Sequence, residues 1–264
     1  MLPNEQDELI RQVAAANPRT IVVLENGDPV LMPWLGSVKA VLETWYPGAR
    51  GGEAIANILF GDVNPSGKLV LSFPKSEADL PRLVLQVPPP APAGSNPNAD
   101  MQKRDAFFDV NYSEGMKVGY RWYDAENKEP LFPFGFGLSY SSFAYSKLRL
   151  ESAQQVSVSF TLKNTSGRAG AEVAQVYLGL PASAGEPPKR LVGWKKVKLG
   201  PGEAQEVTVS IEPRELAIFN DVRNVWEIVR GEYRVFVGGS SRDTPLTQTF
   251  GIVPAQAALL LKQN

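Results

Sequence analysis

The chain has 264 residues, and 27 Lys and Arg against 28 Asp and Glu give it a formal net charge of -1. This balance offers no electrostatic excess that would attract nucleic acid or an acidic membrane, so we expect neither as a partner. The sequence contains no Cys and no His, which excludes disulfides, Ser-His-Asp and Cys-His catalysis and ordinary zinc sites. We expect no cofactor and no metal, and any acid–base chemistry must use Asp, Glu, Lys or Tyr.

Residues 1–75 alternate between helix and strand patterns. A first helix carries its apolar residues on one face, and the apolar run Thr20–Leu24 is typical of a parallel strand buried on both faces. Further strands are predicted over 37–46 and 67–73, and a short helix over 53–60. Because three strands are few for a parallel sheet covered by helices, we expect a C-terminal fragment of a longer polypeptide. A small, complete α/β domain with an unusual edge is the alternative.

Two different patterns follow along the chain. Residues 76–143 combine a Pro-rich linker at 88–95 with an aromatic-dense stretch at 107–143, which we interpret as an ordered connecting segment.

From 144 to 264, apolar and polar residues alternate with period 2. About seven short strands separated by turn residues predict an immunoglobulin- or fibronectin III-like sandwich. The expected fold class is therefore α/β plus all-β: a partial α/β sandwich domain with a parallel sheet, followed by a β-sandwich. Strands are predicted over 156–162, 173–179, 191–199, 207–211, 225–229 and 233–237.

Several motifs occur in a fixed order along the chain. They are Trp45-Tyr46-Pro47-Gly48, Gly61-Asp62-Val63-Asn64-Pro65-Ser66-Gly67-Lys68-Leu69, Tyr112-Ser113-Glu114-Gly115, Val118-Gly119-Tyr120-Arg121-Trp122-Tyr123-Asp124 and Pro133-Phe134-Gly135-Phe136-Gly137. In sequence and spacing they resemble family 3 glycoside hydrolases of the β-glucosidase type, and the resemblance covers nearly the whole chain. The tail is similar to the fibronectin type III-like domain that often ends these enzymes.

The resemblance implies a larger enzyme. Such proteins have an N-terminal (β/α) barrel, then an α/β sandwich domain, then this β-sandwich, and they are retaining glycosidases with an Asp nucleophile and a Glu acid/base. The family places both carboxylates upstream of this chain, so we expect no catalytic residue here. The implied partners are the barrel, in cis or in trans, and a β-glucoside or oligosaccharide. A homo-oligomer is an open alternative, and a periplasmic or secreted location is slightly favoured.

Some polar residues merit evaluation as site residues. Glu25 and Asp28 follow the first predicted strand, at the edge where ligands of α/β sheets bind. We interpret them as a solvated loop, because no partner acid is evident. Glu114, Arg121 and Asp124 are predicted to form a buried or half-buried ion-pair network that docks the connecting segment, with the barrel as one candidate surface.

For the remaining candidate residues, the sequence pattern indicates structural roles. Lys68 lacks the spacing of a phosphate-binding loop, so we place it in a turn before a strand. We expect Arg190 and Lys195-Lys196 to lie on a solvated face. Trp34, in a loop after a strand, is a weak candidate for binding substrate, whereas Trp45 and Trp226 are predicted in cores.

Three functions remain in competition at this point. The chain is part of a glycosidase that braces an active site, a free-standing β-sandwich that binds carbohydrate or protein, or a structural spacer. The α/β residues 1–75 favour the first, because a binding module has no need of them.

Overall fold

The computed structural model of the chain describes residues 2–81, 112–152 and 156–253. The predicted Pro-rich linker at 88–95 and the start of the aromatic stretch at 107–111 lie outside these residues. The helices of the described part are α1 (Gln6–Ala16), α2 (Gly51–Leu59) and α3 (Tyr120–Ala125). None of them is long and apolar enough to cross a membrane.

A two-stranded parallel sheet forms the centre of the α/β segment. Strand β1 (Ile21–Leu24) pairs with β2 (Ala40–Glu43), and Leu24 lies opposite Glu43. Val22 and Leu24 are buried in a core with Met32, Trp34 and Phe73. Ile21 is 48% exposed, so the prediction that this strand is buried on both faces is wrong at its first residue. Val22 and Leu24 share the buried face of β1, whereas Ile21 and Val23 lie on the opposite face, which is covered less completely.

Two predicted strands differ in the structure. The strand expected over 37–46 is only Ala40–Glu43, preceded by a 3₁₀ turn at Leu35–Ser37. The segment 67–73 is extended but forms no strand. Its backbone bonds instead to the connecting segment: Leu69 N–H donates to Phe136 O at 2.7 Å and Phe73 N–H to Phe132 O at 2.8 Å. Phe134 N–H donates to the Ser72 hydroxyl oxygen at 3.2 Å rather than to the backbone, and Phe73 and Phe132 form an isolated bridge.

The β-sandwich consists of two antiparallel sheets. The strands are β3 (Phe143–Glu151), β4 (Val156–Asn164), β5 (Gly170–Gly179), β6 (Arg190–Leu199), β7 (Ala204–Ile211), β8 (Ala217–Asn220), β9 (Val225–Ile228), β10 (Gly231–Gly238) and β11 (Leu246–Ile252). One sheet has the order β11-β10-β5-β6, the other β3-β4-β7, and β8 and β9 form a separate hairpin. The fold class is thus the one expected, with seven strands in the two sheets.

The core of the sandwich follows the alternation of the strands. Val158, Phe160 and Leu162 of β4 pack with Val176 and Leu178 of β5 between the sheets. The pattern missed β3, β8 and β11. It also misassigned Trp226, which is not in the core but on the hairpin, 41% exposed. Its ring contacts Phe219, and the Arg214 guanidinium lies 4.4 Å from its centre.

Candidate functional site

The carboxyl ends of β1 and β2 meet at one edge of the parallel sheet. Two hydrogen bonds tie the loops that leave this edge: both the backbone N–H and the hydroxyl of Thr44 donate to Leu24 O, at 3.0 and 2.7 Å. Glu25 and Asn26 continue from β1, and Trp45 and Tyr46 from β2. Carboxyl edges of parallel sheets are the usual position of ligand sites in α/β folds.

Glu43 is the titratable group at the centre of this edge. Its Oε1 accepts a hydrogen bond from Trp45 N–H at 2.9 Å. Trp45 has a φ of 51°, which is unfavourable for a bulky residue. Burial raises the pKa of Glu43 above 4.5, and the hydrogen bond from Trp45 N–H opposes this shift. Within the described residues, Glu43 Oε2 and Asn26 Oδ1 are buried without a hydrogen-bond partner.

Tyr46 projects from the same loop. Its side chain is 81% exposed, and its hydroxyl covers Gly27, where a Cβ would lie only 2.4 Å away. Glu25 and Asp28 are exposed on the neighbouring loop. In the described part of the chain no hydrogen bond or ion pair joins either of them to Glu43. The edge therefore offers one half-buried carboxyl that retains a proton at higher pH than a free glutamate, beside an exposed aromatic ring.

A second polar cluster joins the α/β segment to the β-sandwich. Lys68 Nζ lies 2.8 Å from Glu172 Oε1 of β5 and donates to Gly137 O at 3.2 Å. Both charged side chains are largely buried, with exposed fractions of 14% and 9%. Asn64 contributes further bonds: its amide donates to Ala169 O and to Ser141 Oγ, each at 2.9 Å, and its Oδ1 accepts from Tyr140 N–H at 2.8 Å.

Gln175 of β5 bonds the connecting segment to the sandwich at a second position. Its Nε2 donates to Gly135 O at 3.0 Å and to Gly239 O at 2.6 Å, and its Oε1 accepts from the Tyr177 hydroxyl. Gly135 has a φ of 80°, and a Cβ on it would lie 2.0 Å from Gln175 Oε1. The close approach therefore requires glycine at this position.

Ion pairs from the sandwich hold α3. Asp124, only 4% exposed, pairs with Lys189 Nζ and Arg242 Nε, each at 3.1 Å. Arg242 also donates to the carbonyls of Tyr123 and Lys128, at 3.1 and 2.6 Å. The connecting segment is thus bonded to the sandwich at α3, Lys128 and Gly135.

Similarity to known proteins agrees with this two-part architecture. Residues 1–140 match the glycosyl hydrolase family 3 C-terminal domain, and residues 172–241 match the fibronectin type III-like domain. The chain belongs to glycosyl hydrolase family 3.

Curated relatives of this family 3 chain are β-glucosidases. Beta-glucosidase B of Emericella nidulans is 42% identical over 246 residues, which cover 90% of this chain and 28% of the relative. Thermostable beta-glucosidase B of Acetivibrio thermocellus is 39% identical, over 94% of this chain and 31% of the relative. The chain therefore spans less than a third of the length of these relatives, and it corresponds to their C-terminal family 3 part.

Solved structures show the same similarity. The β-glucosidase DesR from Streptomyces venezuelae, in complex with D-glucose, is 43% identical with a TM-score of 0.81, over 96% of this chain and 31% of that one. A β-glucosidase from Kluyveromyces marxianus is 36% identical with a TM-score of 0.84, over 96% and 30% respectively.

The residues that the sequence singled out lie at different places in this family 3 structure. Asp124 docks α3 onto the sandwich, and Glu114 and Arg121 are half-buried on the same connecting segment. A network that joins all three stays a prediction. Trp34 is 2% exposed, and its Nε1 donates to Asp7 Oδ1 at 2.7 Å. It forms one wall of a cavity of about 680 Å³ beside α1, and its contact with a sugar stays a prediction.

The sequence analysis missed the residues that hold the two parts together. Lys68, expected in a turn, forms a buried ion pair, and the contacts of Asn64, Gln175 and Arg242 are not among the predictions from sequence. One signal was present: Gln175 is a polar residue inside the apolar run Val173–Leu178, where a buried amide must find partners. Across residues 2–81, 112–152 and 156–253, no group of three acidic side chains is placed to hold a metal ion.

Proposed function

We propose that this chain is the C-terminal part of a retaining glycoside hydrolase of the β-glucosidase type. It braces an active site whose nucleophilic Asp and acid/base Glu lie outside the chain. The retaining mechanism needs two carboxyl groups about 5–5.5 Å apart. The sheet edge described above presents one half-buried carboxyl, that of Glu43, with no hydrogen bond or ion pair to Glu25 or Asp28.

The observation that carries the proposal is the buried junction of Lys68 with Glu172. It fastens the α/β segment to the sandwich, as required of a brace that holds the sheet edge against a separate catalytic domain. A free-standing carbohydrate- or protein-binding sandwich would not need this bond or the α/β segment that it holds. That module is the alternative function.

The proposed partner is the barrel of the same enzyme, in cis or in trans. Leu9, Val13 and Ile21 are between 46% and 60% exposed on α1 and β1. One edge of β1 also has no partner strand among the described residues. An apolar surface next to an unpaired strand edge favours association with further structure. The proposed substrate is a β-glucoside or an oligosaccharide.

Two purified proteins test the proposal. One is the chain alone; the other is a chimera in which the chain replaces the corresponding C-terminal part of the β-glucosidase DesR. We expect the chimera to hydrolyse nitrophenyl β-glucoside and the chain alone to be inactive. Turnover by the chain alone that is lost in Glu43→Gln or Glu25→Gln would overturn the proposal. A folded but inactive chimera, together with tight binding of oligosaccharide by the chain, would favour the binding module.

A further inference from the structure

Trp194 differs from the other tryptophans of the described residues. Its side chain is 66% exposed on β6, the highest value among them. Trp34 and Trp122 donate hydrogen bonds to Asp7 and to Asp79 O, and Trp226 packs under Arg214. The indole of Trp194 makes no hydrogen bond or ring contact within the described part of the chain. Tryptophan is enriched among the residues that contribute most to binding at protein interfaces, so this exposed ring is a candidate interface residue.

The geometry of β6 places positive charge beside this ring. Side chains alternate along a strand, so Trp194, Lys196 and Lys198 share its outer face while Val197 and Leu199 are buried on the other. Together with Lys195, these lysines form no ion pair with any described residue. Strand β6 is the last strand of its sheet among the described residues, and Trp194 lies opposite Gln175 of β5.

The connecting segment extends the apolar surface. Leu191 N–H donates to the Tyr120 hydroxyl at 2.6 Å, which holds the segment against β6 three residues before Trp194. Just before Tyr120, Met116 and Val118 are 56% and 66% exposed. We call these residues the Trp194 face: Met116, Val118 and Trp194, with Lys196 and Lys198 at the rim. Gln175 and Tyr120 keep its two halves in a fixed relation.

We propose that the Trp194 face is a docking surface for the N-terminal part of the enzyme. This inference rests on the proposed function. The occupant is a folded domain with an apolar pocket for the indole and carboxylates around it for the lysines. The relatives supply such an occupant, since about 70% of their length lies outside the region that this chain matches.

Other occupants fit the face less well. A second copy of this chain, related by a two-fold axis, would set the lysine rims against each other. An added strand would meet lysines along β6, which are the usual protection of an edge against pairing. A folded domain with an apolar pocket and surrounding carboxylates avoids both the repulsion between lysines and the need to pair with β6. Charge complementarity would also speed its association at low salt.

Oxidative footprinting with mass spectrometry tests the inference on the chain alone and on the DesR chimera. We expect Trp194 to oxidise readily in the isolated chain and at least five-fold more slowly in an active chimera. Trp226, 41% exposed on the hairpin, is the internal control and should oxidise equally in both. In the chimera, Trp194→Ala should lower the melting temperature, whereas Val222→Ala on the hairpin, 91% exposed, should not.

The outcomes separate the two proposals. Equal oxidation of Trp194 in the isolated chain and in an active chimera overturns the docking surface and leaves the proposed function intact. Self-association of the isolated chain that Trp194→Ala abolishes overturns it in favour of a second copy. A folded but inactive chimera contradicts the proposed function and the docking surface together.

Discussion

Lys68 and Glu172 are 104 residues apart in the sequence and their charged atoms lie 2.8 Å apart in the structure. The pair is nearly buried, and Gly137 O accepts a further hydrogen bond from the lysine. A buried charge is expensive when it loses its partner, because the remaining charge has neither water nor a counter-ion. The junction therefore depends on both residues being present together.

Removing one member of this pair should destabilise the chain strongly. We expect Lys68→Met or Glu172→Gln to lower the free energy of unfolding by about 3 kcal/mol, and the double change Lys68→Met/Glu172→Leu to cost much less than the two single changes added together. Urea unfolding followed by fluorescence measures these values. Glu53→Gln is the matched control, because the pair Arg50–Glu53 is exposed and should contribute less than about 1 kcal/mol. Equal losses at both pairs would contradict the prediction.

Gly135→Ala should also destabilise the junction, for two separable reasons. Alanine at this position would have to keep a left-handed backbone with a φ of 80°. Its methyl group would also overlap Gln175 Oε1. We expect a loss of about 2–4 kcal/mol in the free energy of unfolding. Gly202 has a φ of 71° with open space around it, so Gly202→Ala carries only the backbone cost of about 1 kcal/mol. If the two variants melt at the same temperature, the contact with Gln175 is not what requires glycine.

Asp124→Asn should loosen α3 from the sandwich. The change removes the charge that pairs with Lys189 and Arg242 and leaves two cations close together. We expect a loss of about 2–3 kcal/mol and faster amide hydrogen exchange over 120–128. Glu126→Gln is the control, since its pair with Lys117 is far more exposed. Exchange that is unchanged in Asp124→Asn would show that the other bonds of Arg242 are sufficient.

The pH dependence of stability should contain a contribution from Glu43. Because burial raises its pKa in the folded state, the folded chain binds more protons than the unfolded chain at pH values just above 4.5. This contribution therefore lowers stability as pH rises through the window between the unfolded and the folded pKa, and the loss is complete above it. Glu43→Gln should abolish this slope and raise the melting temperature at neutral pH. Its new amide would also face Asn26, whose Oδ1 is buried without a partner in the described residues.

The fluorescence of Trp45 distinguishes this charge effect from a rearrangement of the loop. Its φ of 51° should persist in Glu43→Gln, because the amide oxygen still accepts from Trp45 N–H. In Glu43→Ala that acceptor is lost, so the loop should relax and Trp45 fluorescence should change. A variant Glu43→Gln that is less stable than the wild type at pH 7 would contradict the assignment of the raised pKa.

Local pattern predicted the elements whose partners are close or whose alternation is regular. The run Ile21–Leu24 and the alternation of Val156–Leu162 both became strands at nearly the predicted residues. Strand β3 is not predicted from the pattern, because its register shifts between Ser146 and Arg149, where Lys147 has a φ of 56°. That irregularity breaks the period-2 pattern on which the prediction depends. Strand β11 is too polar, and β8 too short, to give a clear signal.

The junction could not be predicted for a different reason. Asn64 bonds to Ala169, 105 residues further along, and Gln175 to Gly135, 40 residues before it. The apolar run around Gln175 indicates that its amide is buried, but no local pattern identifies the partners, because only the complete fold brings them together. The two parts could be recognised separately from pattern, but the bonds between them could not.

These long sequence separations also set an order of events during synthesis. The ribosome releases Phe73 before Phe132, and Asn64 before Ala169, so the segment 64–73 cannot complete its hydrogen bonds until much of the sandwich has emerged. Contacts that close long loops form late and slow the search for the native state. We expect the α/β segment to remain partly unfolded on the nascent chain until β5 is available. A ribosome stalled before residue 170 should leave residues 2–81 sensitive to protease, and one stalled beyond residue 253 should not.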